Sequence, residues 1–395
     1  MKNHASTRKL VSAIALAGGI AVLGVGQAML QQQAEAQSGV TAPMFEVDPL
    51  WPKPLPNNWL LGWTIGLWID EQDHIWVIHR GAGGLHNNER GAELNPPIAE
   101  CCRTAPPVLV YEPGGGLVRS WGGPGEGYEW PQSNHGIHVD YKGNVWIGGN
   151  GAKDAHVLKF TKDGKFLMQA GRFGMGGGSN DSENFGRVAK IWVDPKANEA
   201  YIADGYGNKR VAVIDADTGK MKRFWGAYGN KPDDANLGPY DPDAPPAPQF
   251  RNPVHCAELS VDRLLYVCDR VNNRIQVFTP DGKFVKEAFI AKRSLGEGAV
   301  WDIAFSKDAA QSHIYLADGR NMKVRILRRD TLEELTNFGD GGRQPGQFYA
   351  PHSVAVDSRG NLYTTETYEG KRVQKFVYKG LRPVPARDQG VVWPR

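Results

Sequence analysis

The sequence predicts an all-β chain folded as one six-bladed β-propeller over residues 37–395, behind an N-terminal export signal at residues 1–36. Three observations carry that expectation. A two-strand pattern recurs six times, its turns are rich in glycine and Asp-Gly pairs, and its apolar residues alternate where helical periodicity is scarce. Self-similarity at spacings of roughly fifty to seventy residues is the signature of propeller blades.

Each unit has an apolar run ending at a polar landmark, a short turn, and a second strand centred on an aromatic residue. The landmarks are Asp70, Asp140, Asp194, Ser260, Ser306 and Asp357, and the aromatics are Trp76, Trp146, Tyr201, Tyr266, Tyr315 and Tyr363. Third strands follow in several units, at residues 211–214 and 274–278 for example, with Asp163-Gly164 and Asp281-Gly282 as hairpin turns. A strand near residues 45–47 is expected to close the sixth blade beside residues 373–377, so no internal linker divides the chain.

The N-terminus carries Arg8 and Lys9 ahead of a Gly/Ala-rich apolar run and offers small-x-small cleavage sites at Ala34-Glu35-Ala36 or Gly26-Gln27-Ala28. Export with cleavage is preferred over a retained membrane anchor, which places the mature protein in the periplasm or outside the cell, with no membrane attachment after cleavage. The net charge of +3 includes basic residues of this leader, and no basic stripe supports nucleic-acid binding. Four cysteines in an exported chain permit disulfides. Cys256 and Cys268 lie symmetrically about a predicted hairpin turn, which allows a cross-strand bridge. Cys101 and Cys102, adjacent in a Gly/Pro-rich insertion at residues 81–107, are open to three fates: a bridge to each other, a reduced pair, or a soft-metal site.

Register is where chemistry enters. Counting back five residues from each landmark gives Ile65, His135, Ala189, His255, Trp301 and His352. Histidine therefore fills the second, fourth and sixth blades, about 120° apart around a six-bladed ring. One histidine at a strand start is ordinarily structural, but three of only ten in alternate copies of one position point to a shared requirement at the axis. Three imidazoles with an open fourth position suit a catalytic zinc site, with copper, iron and nickel also compatible. His79 reads as a supporting residue outside this register. In the loops after the second strands, an Asp-x-x-x-Asn-x-Arg pattern serves the repeat itself, whereas Tyr206 and Arg80 are not required by it and return to the rim where the histidines stand.

The motifs His79-Arg80-Gly81, Asn134-His135-Gly136, Asp204 to Val211 (DGYGNKRV), Asn252-Pro253-Val254-His255 and Ala350-Pro351-His352-Ser353 resemble, in the same order, those of peptidyl-α-hydroxyglycine α-amidating lyase, a propeller of the NHL class. The resemblance spans about residues 45–378. It implies a zinc ion on His135, His255 and His352, Tyr206 as catalytic base, and Arg80 as its electrostatic partner or as a clamp for the substrate carboxylate. The implied reaction splits the C–N bond of a small-molecule or peptide carbinolamide into an amide and glyoxylate. Three departures qualify it. Ser353 stands where the family has an acidic calcium ligand, which puts that calcium in question, Ala350 replaces a methionine, and Gly207 replaces a cysteine. Two other readings belong beside it: a different metal-dependent propeller hydrolase, whose calcium sites favour carboxylate and Asn ligands, and a non-enzymatic propeller that binds a partner on its rim. Physiological substrate, any partner oxygenase and oligomeric state are not written in the sequence.

Overall fold

Six four-stranded antiparallel sheets surround a central channel in the structure, a computed structural model that describes residues 39–394. The export signal expected at residues 1–36 lies outside the described residues. The first, channel-lining strands are Thr64–Ile69, Asn134–Val139, Val188–Asp194, Val254–Leu259, Asp302–Phe305 and Pro351–Val356. Blades two to five are built from consecutive strands, and in blade one the short strand Arg103–Thr104 intervenes and pairs instead with Trp59–Leu60. The sixth is closed by Thr41–Asp48, which pairs antiparallel with Arg372–Pro383 and sets Val47 opposite Phe376, within the expected register.

The landmark residues explain why the pattern repeats. The Asp140 carboxylate accepts the turn N–H groups of Lys142 at 2.9 Å and Asn144 at 2.8 Å, and its second oxygen accepts Trp146 Nε1–H at 2.9 Å. Asp70 treats Gln72, His74 and Trp76 in the same way, and Asp357 treats Arg359, Asn361 and Tyr363 likewise. One carboxylate thus closes a turn and seats the next strand's aromatic ring, a requirement that fixes the six-residue spacing. In blades four and five a Ser-x-Asp pair does the work, with Ser260 bonded to Asp262 and Ser306 to Asp308. Trp76, Trp146, Tyr201, Tyr266 and Tyr363 are fully buried. They supply much of the apolar area between sheets.

The Asp-x-x-x-Asn-x-Arg pattern is architectural as expected. Arg210 Nε donates to Asp204 at 2.8 Å and Arg274 Nε to Asp269 at 2.7 Å, all four side chains buried. Cys256 and Cys268 are directly opposed across blade four and are bridged. Of the fates open to Cys101 and Cys102, the structure has the bridge to each other. Their insertion is braced internally by Glu93, which accepts Thr104 N–H at 2.8 Å, and tied to blade six by a 2.7 Å ion pair between Glu89 and Lys371. Among the described residues no helix is long and apolar enough to cross a membrane.

Candidate metal centre

The three histidines start their strands at a local fault in the sheet. In blades one, two, three, four and six, pairing between the first and second strands slips and skips Ile65, His135, Ala189, His255 or His352. A bulged residue leaves the ladder and its carbonyl is free to accept another donor. Two of those carbonyls, of Ile65 and Ala189, and that of Trp301, which stands just before the unbulged first strand of blade five, hold the imidazoles. His135 Nδ1–H donates to Ala189 O at 2.7 Å, His255 Nδ1–H to Trp301 O, and His352 Nδ1–H to Ile65 O at 2.7 Å. Each histidine of an even blade therefore leans on the backbone of the same register position in the next odd blade. The alternation seen in sequence is a ring of six, three imidazoles and three carbonyls.

A carbonyl only accepts, so these bonds assign the proton to Nδ1 and leave Nε2 with its lone pair free. One ligand atom from each ring lies within 4.8 Å of the other two, and the ring centroids are 4.8 to 5.1 Å apart. All three residues are 2 % exposed. Burial, with Arg80 and Arg270 adding positive potential around the triad, lowers the three imidazoles well below their ordinary pKa and keeps them neutral. Oriented, neutral and desolvated nitrogen donors of this kind fit a zinc ion. Gly136 makes the approach possible, because a Cβ there would sit 2.6 Å from Ala189 O.

Tyr206 reaches the same point from blade three. Its hydroxyl lies 2.9 Å from His135 Nε2 and 3.0 Å from His255 Nε2. Its loop is held by Asn252 Nδ2, which donates to Gly205 O at 2.7 Å and Asn208 O at 2.8 Å. A Cβ on Gly205 would come 2.0 Å from Val254 O, so only glycine lets this loop lie against the His255 strand.

The sequence reading named Arg80 as the electrostatic partner of Tyr206 or as a clamp for the substrate carboxylate, and the structure adds a second arginine beside the phenol. Arg270 bonds the phenol, with Nη1 donating to the hydroxyl at 3.3 Å and the guanidinium lying 4.5 Å above the Trp301 ring. Arg80 makes no hydrogen bond to Tyr206. It donates to Asn150 at 3.0 Å, lies 5.4 Å over Trp63 and acts on the phenol only through space. Arg270 follows the buried Asp269 of the architectural motif and was hidden by it; the clue was a second arginine where the motif needs one. Burial pushes the Tyr206 phenol above its ordinary value while Arg270 and Arg80 pull it down, and the net direction is up. His79 sits one layer out. Its Nδ1 accepts the N–H groups of Gly62 at 3.0 Å and Gly81 at 3.1 Å, and its carbonyl accepts Asn134 Nδ2–H at 2.8 Å, next to His135.

Facing Tyr206 across the mouth, Tyr368 donates to Glu297 at 2.9 Å and its ring meets Trp63 with centroids 5.5 Å apart. Neither residue was singled out from sequence. Tyr368 follows Glu366 by two places, as Tyr206 follows Asp204, and that parallel was the available signal.

Comparison with known proteins agrees with the repeat and the fold. The NHL repeat model matches residues 348–376. The chain is 25% identical over 346 residues to peptidyl-glycine alpha-amidating monooxygenase B of Xenopus laevis, covering 84% of this chain and 35% of that protein. It is 25% identical over 358 residues to peptidyl-alpha-hydroxyglycine alpha-amidating lyase 1 of Drosophila melanogaster, covering 84% of this chain and 59% of the relative. The chain thus spans about a third of the first relative and under two thirds of the second. Among solved structures, a streptogramin B lyase superposes with a TM-score of 0.50 at 13% identity, covering 86% of this chain and 98% of that one, which shows the propeller fold alone.

Proposed function

We propose that the protein is a zinc-dependent carbon–nitrogen lyase that splits an N-acyl or peptidyl α-hydroxyglycine into an amide and glyoxylate. The observation that carries this reading is the convergence of three carbonyl-oriented Nε2 atoms on one point that also holds a phenol hydroxyl. The similarity to the two relatives supports the reaction class, and their names give the substrate type.

A zinc ion on His135, His255 and His352 would supply the positive charge that the two arginines do not provide by themselves, acidifying Tyr206 and a substrate hydroxyl beside it. The chain's own groups do the rest. Tyr206 takes the proton of the carbinol hydroxyl as the C–N electron pair leaves with nitrogen, and that proton passes to the departing amide. The carbinol carbon becomes the aldehyde of glyoxylate, so atoms balance without a covalent enzyme intermediate. Arg270, bonded to the phenol, stabilises its deprotonated state. Arg80, whose guanidinium bonds no carboxylate, is free to clamp the substrate carboxylate at the mouth. The two disulfides suit an oxidising compartment, in keeping with export.

Metal analysis of the purified protein is expected to give about one zinc per chain, lost from His255→Ala. Incubation with a simple N-acyl-α-hydroxyglycine is expected to release glyoxylate, and Tyr206→Phe to stop turnover while keeping the metal. A wild type that binds no metal leaves a propeller that acts as a binding scaffold. Zinc without glyoxylate release points to another metal-dependent reaction at the same centre.

A further inference from the structure

Directly beneath the histidines the channel holds an ion cluster that the proposed chemistry does not use. Lys190 Nζ lies 2.6 Å from Asp302 Oδ1 and 2.6 Å from Glu258 Oε1, with all three side chains at most 7 % exposed. They come from the first strands of blades three, five and four. A charged amine so deep in a protein persists only when paired.

We propose that the Lys190 ammonium is a built-in channel cation, taking the place a divalent ion would hold beneath the triad and locking the strands that orient the histidines. Three observations support it. First, the family calcium does not fit. Ser353 stands at its acidic position, and Ser353 Oγ is occupied in donating to Ile65 O at 2.8 Å. Second, the space bounded by Gly66, Gly136, Lys190, Asp302 and Ser353 has a volume of about 10 Å³. That is the lower limit for a single water, and its lining offers side-chain oxygens from Asp302 and Ser353 alone, with the Lys190 ammonium among them, where calcium takes six or more oxygen ligands. Third, the cluster is wired to every imidazole. Lys190 follows Ala189, whose carbonyl holds His135, and Asp302 follows Trp301, whose carbonyl holds His255. Asp302 Oδ2 accepts Val354 N–H at 3.2 Å, two residues after His352. Lys190 is therefore a positioning residue for the metal centre, whatever reaction that centre performs.

The pairing is also balanced for charge. Burial raises the Glu258 carboxyl to about 7 and raises Asp302, while the two carboxylates together hold Lys190 charged.

The test compares thermal unfolding of the zinc-saturated wild type and Lys190→Ala, each with and without millimolar calcium chloride. The wild-type midpoint is expected not to move with calcium. Lys190→Ala, which opens a cavity between two carboxylates, is expected to unfold several degrees lower and to recover when calcium is added. Lys190→Met, which fills the space with apolar atoms, is expected to be weakened and not to recover. A Lys190→Ala variant as stable as wild type, or one that calcium fails to restore, overturns the proposal. If the alanine variant does not fold, the wild type decides: a calcium-induced rise in midpoint that Glu258→Gln abolishes shows a divalent site coexisting with Lys190 and overturns it, and no such rise supports it. Glyoxylate release enters none of these readouts, and the same calcium comparison repeated without added zinc is expected to give the same pattern, so failure of the lyase reading would be seen separately.

Discussion

Two neighbouring layers of the same channel, built from nearly the same register positions of its inner strands, are finished in opposite ways. In the lower one the Lys190 ammonium lies 2.6 Å from each of two carboxylates. In the upper ring each imidazole spends one nitrogen on a carbonyl and points the other at the axis, where only the Tyr206 hydroxyl meets two of them. A polar group buried without full compensation lowers stability, and folds tolerate that where the group has work to do. The lower ring is the kind of arrangement that holds a fold together. The upper ring is the kind that binds something.

The comparison breaks first at Lys190. Lys190→Met strands two carboxylates in the core and is expected to cost about 3–5 kcal/mol in urea unfolding. His255→Ala leaves the Trp301 carbonyl without its donor and breaks the contact with the Tyr206 hydroxyl, so the metal-free variant is expected to lose about 1–3 kcal/mol, less than Lys190→Met, and to bind no zinc. Equal losses in the two variants would mean that the rings do not differ in kind. Arg270→Lys sharpens the upper ring alone. An ammonium cannot both stack on Trp301 and reach the phenol as the planar guanidinium does, so glyoxylate release is expected to fall about tenfold or more with zinc content unchanged. Unaltered turnover would leave the partner role to Arg80. At the bottom of the scale, the exposed pair Arg293–Asp243, 2.9 Å apart, should contribute under about 1 kcal/mol, and Asp243→Asn should leave the unfolding midpoint in place.

Much of the upper ring was legible in the sequence because it is written in register. The landmark spacing comes from a carboxylate that must reach both a turn and a ring six residues on, and the histidines keep that count. The closing strand and the Cys256–Cys268 bridge follow from the same regular pairing. The lower ring was not legible. Lys190 and Asp302 stand one place after the register position and Glu258 three places after it, on three different blades, and the strands of Lys190 and Glu258 carry a bulge ahead of them while that of Asp302 does not, so no common count links the three. The carbonyls of Ile65, Ala189 and Trp301 were silent for another reason: a backbone oxygen has no letter in the sequence. Arg270 was masked by the architectural motif it sits in, and its bond to the phenol stands beside the through-space effect of Arg80.

The strand Thr41–Asp48 closes the last blade, and the bond from His352 to Ile65 O spans 287 residues. The donor set for the metal is consequently split between the early and late parts of the chain, and a growing polypeptide has two imidazoles but not the third until its final blade has emerged. A metal held by all three imidazoles would need the ring shut, so its binding would report closure of the propeller rather than the folding of any one blade.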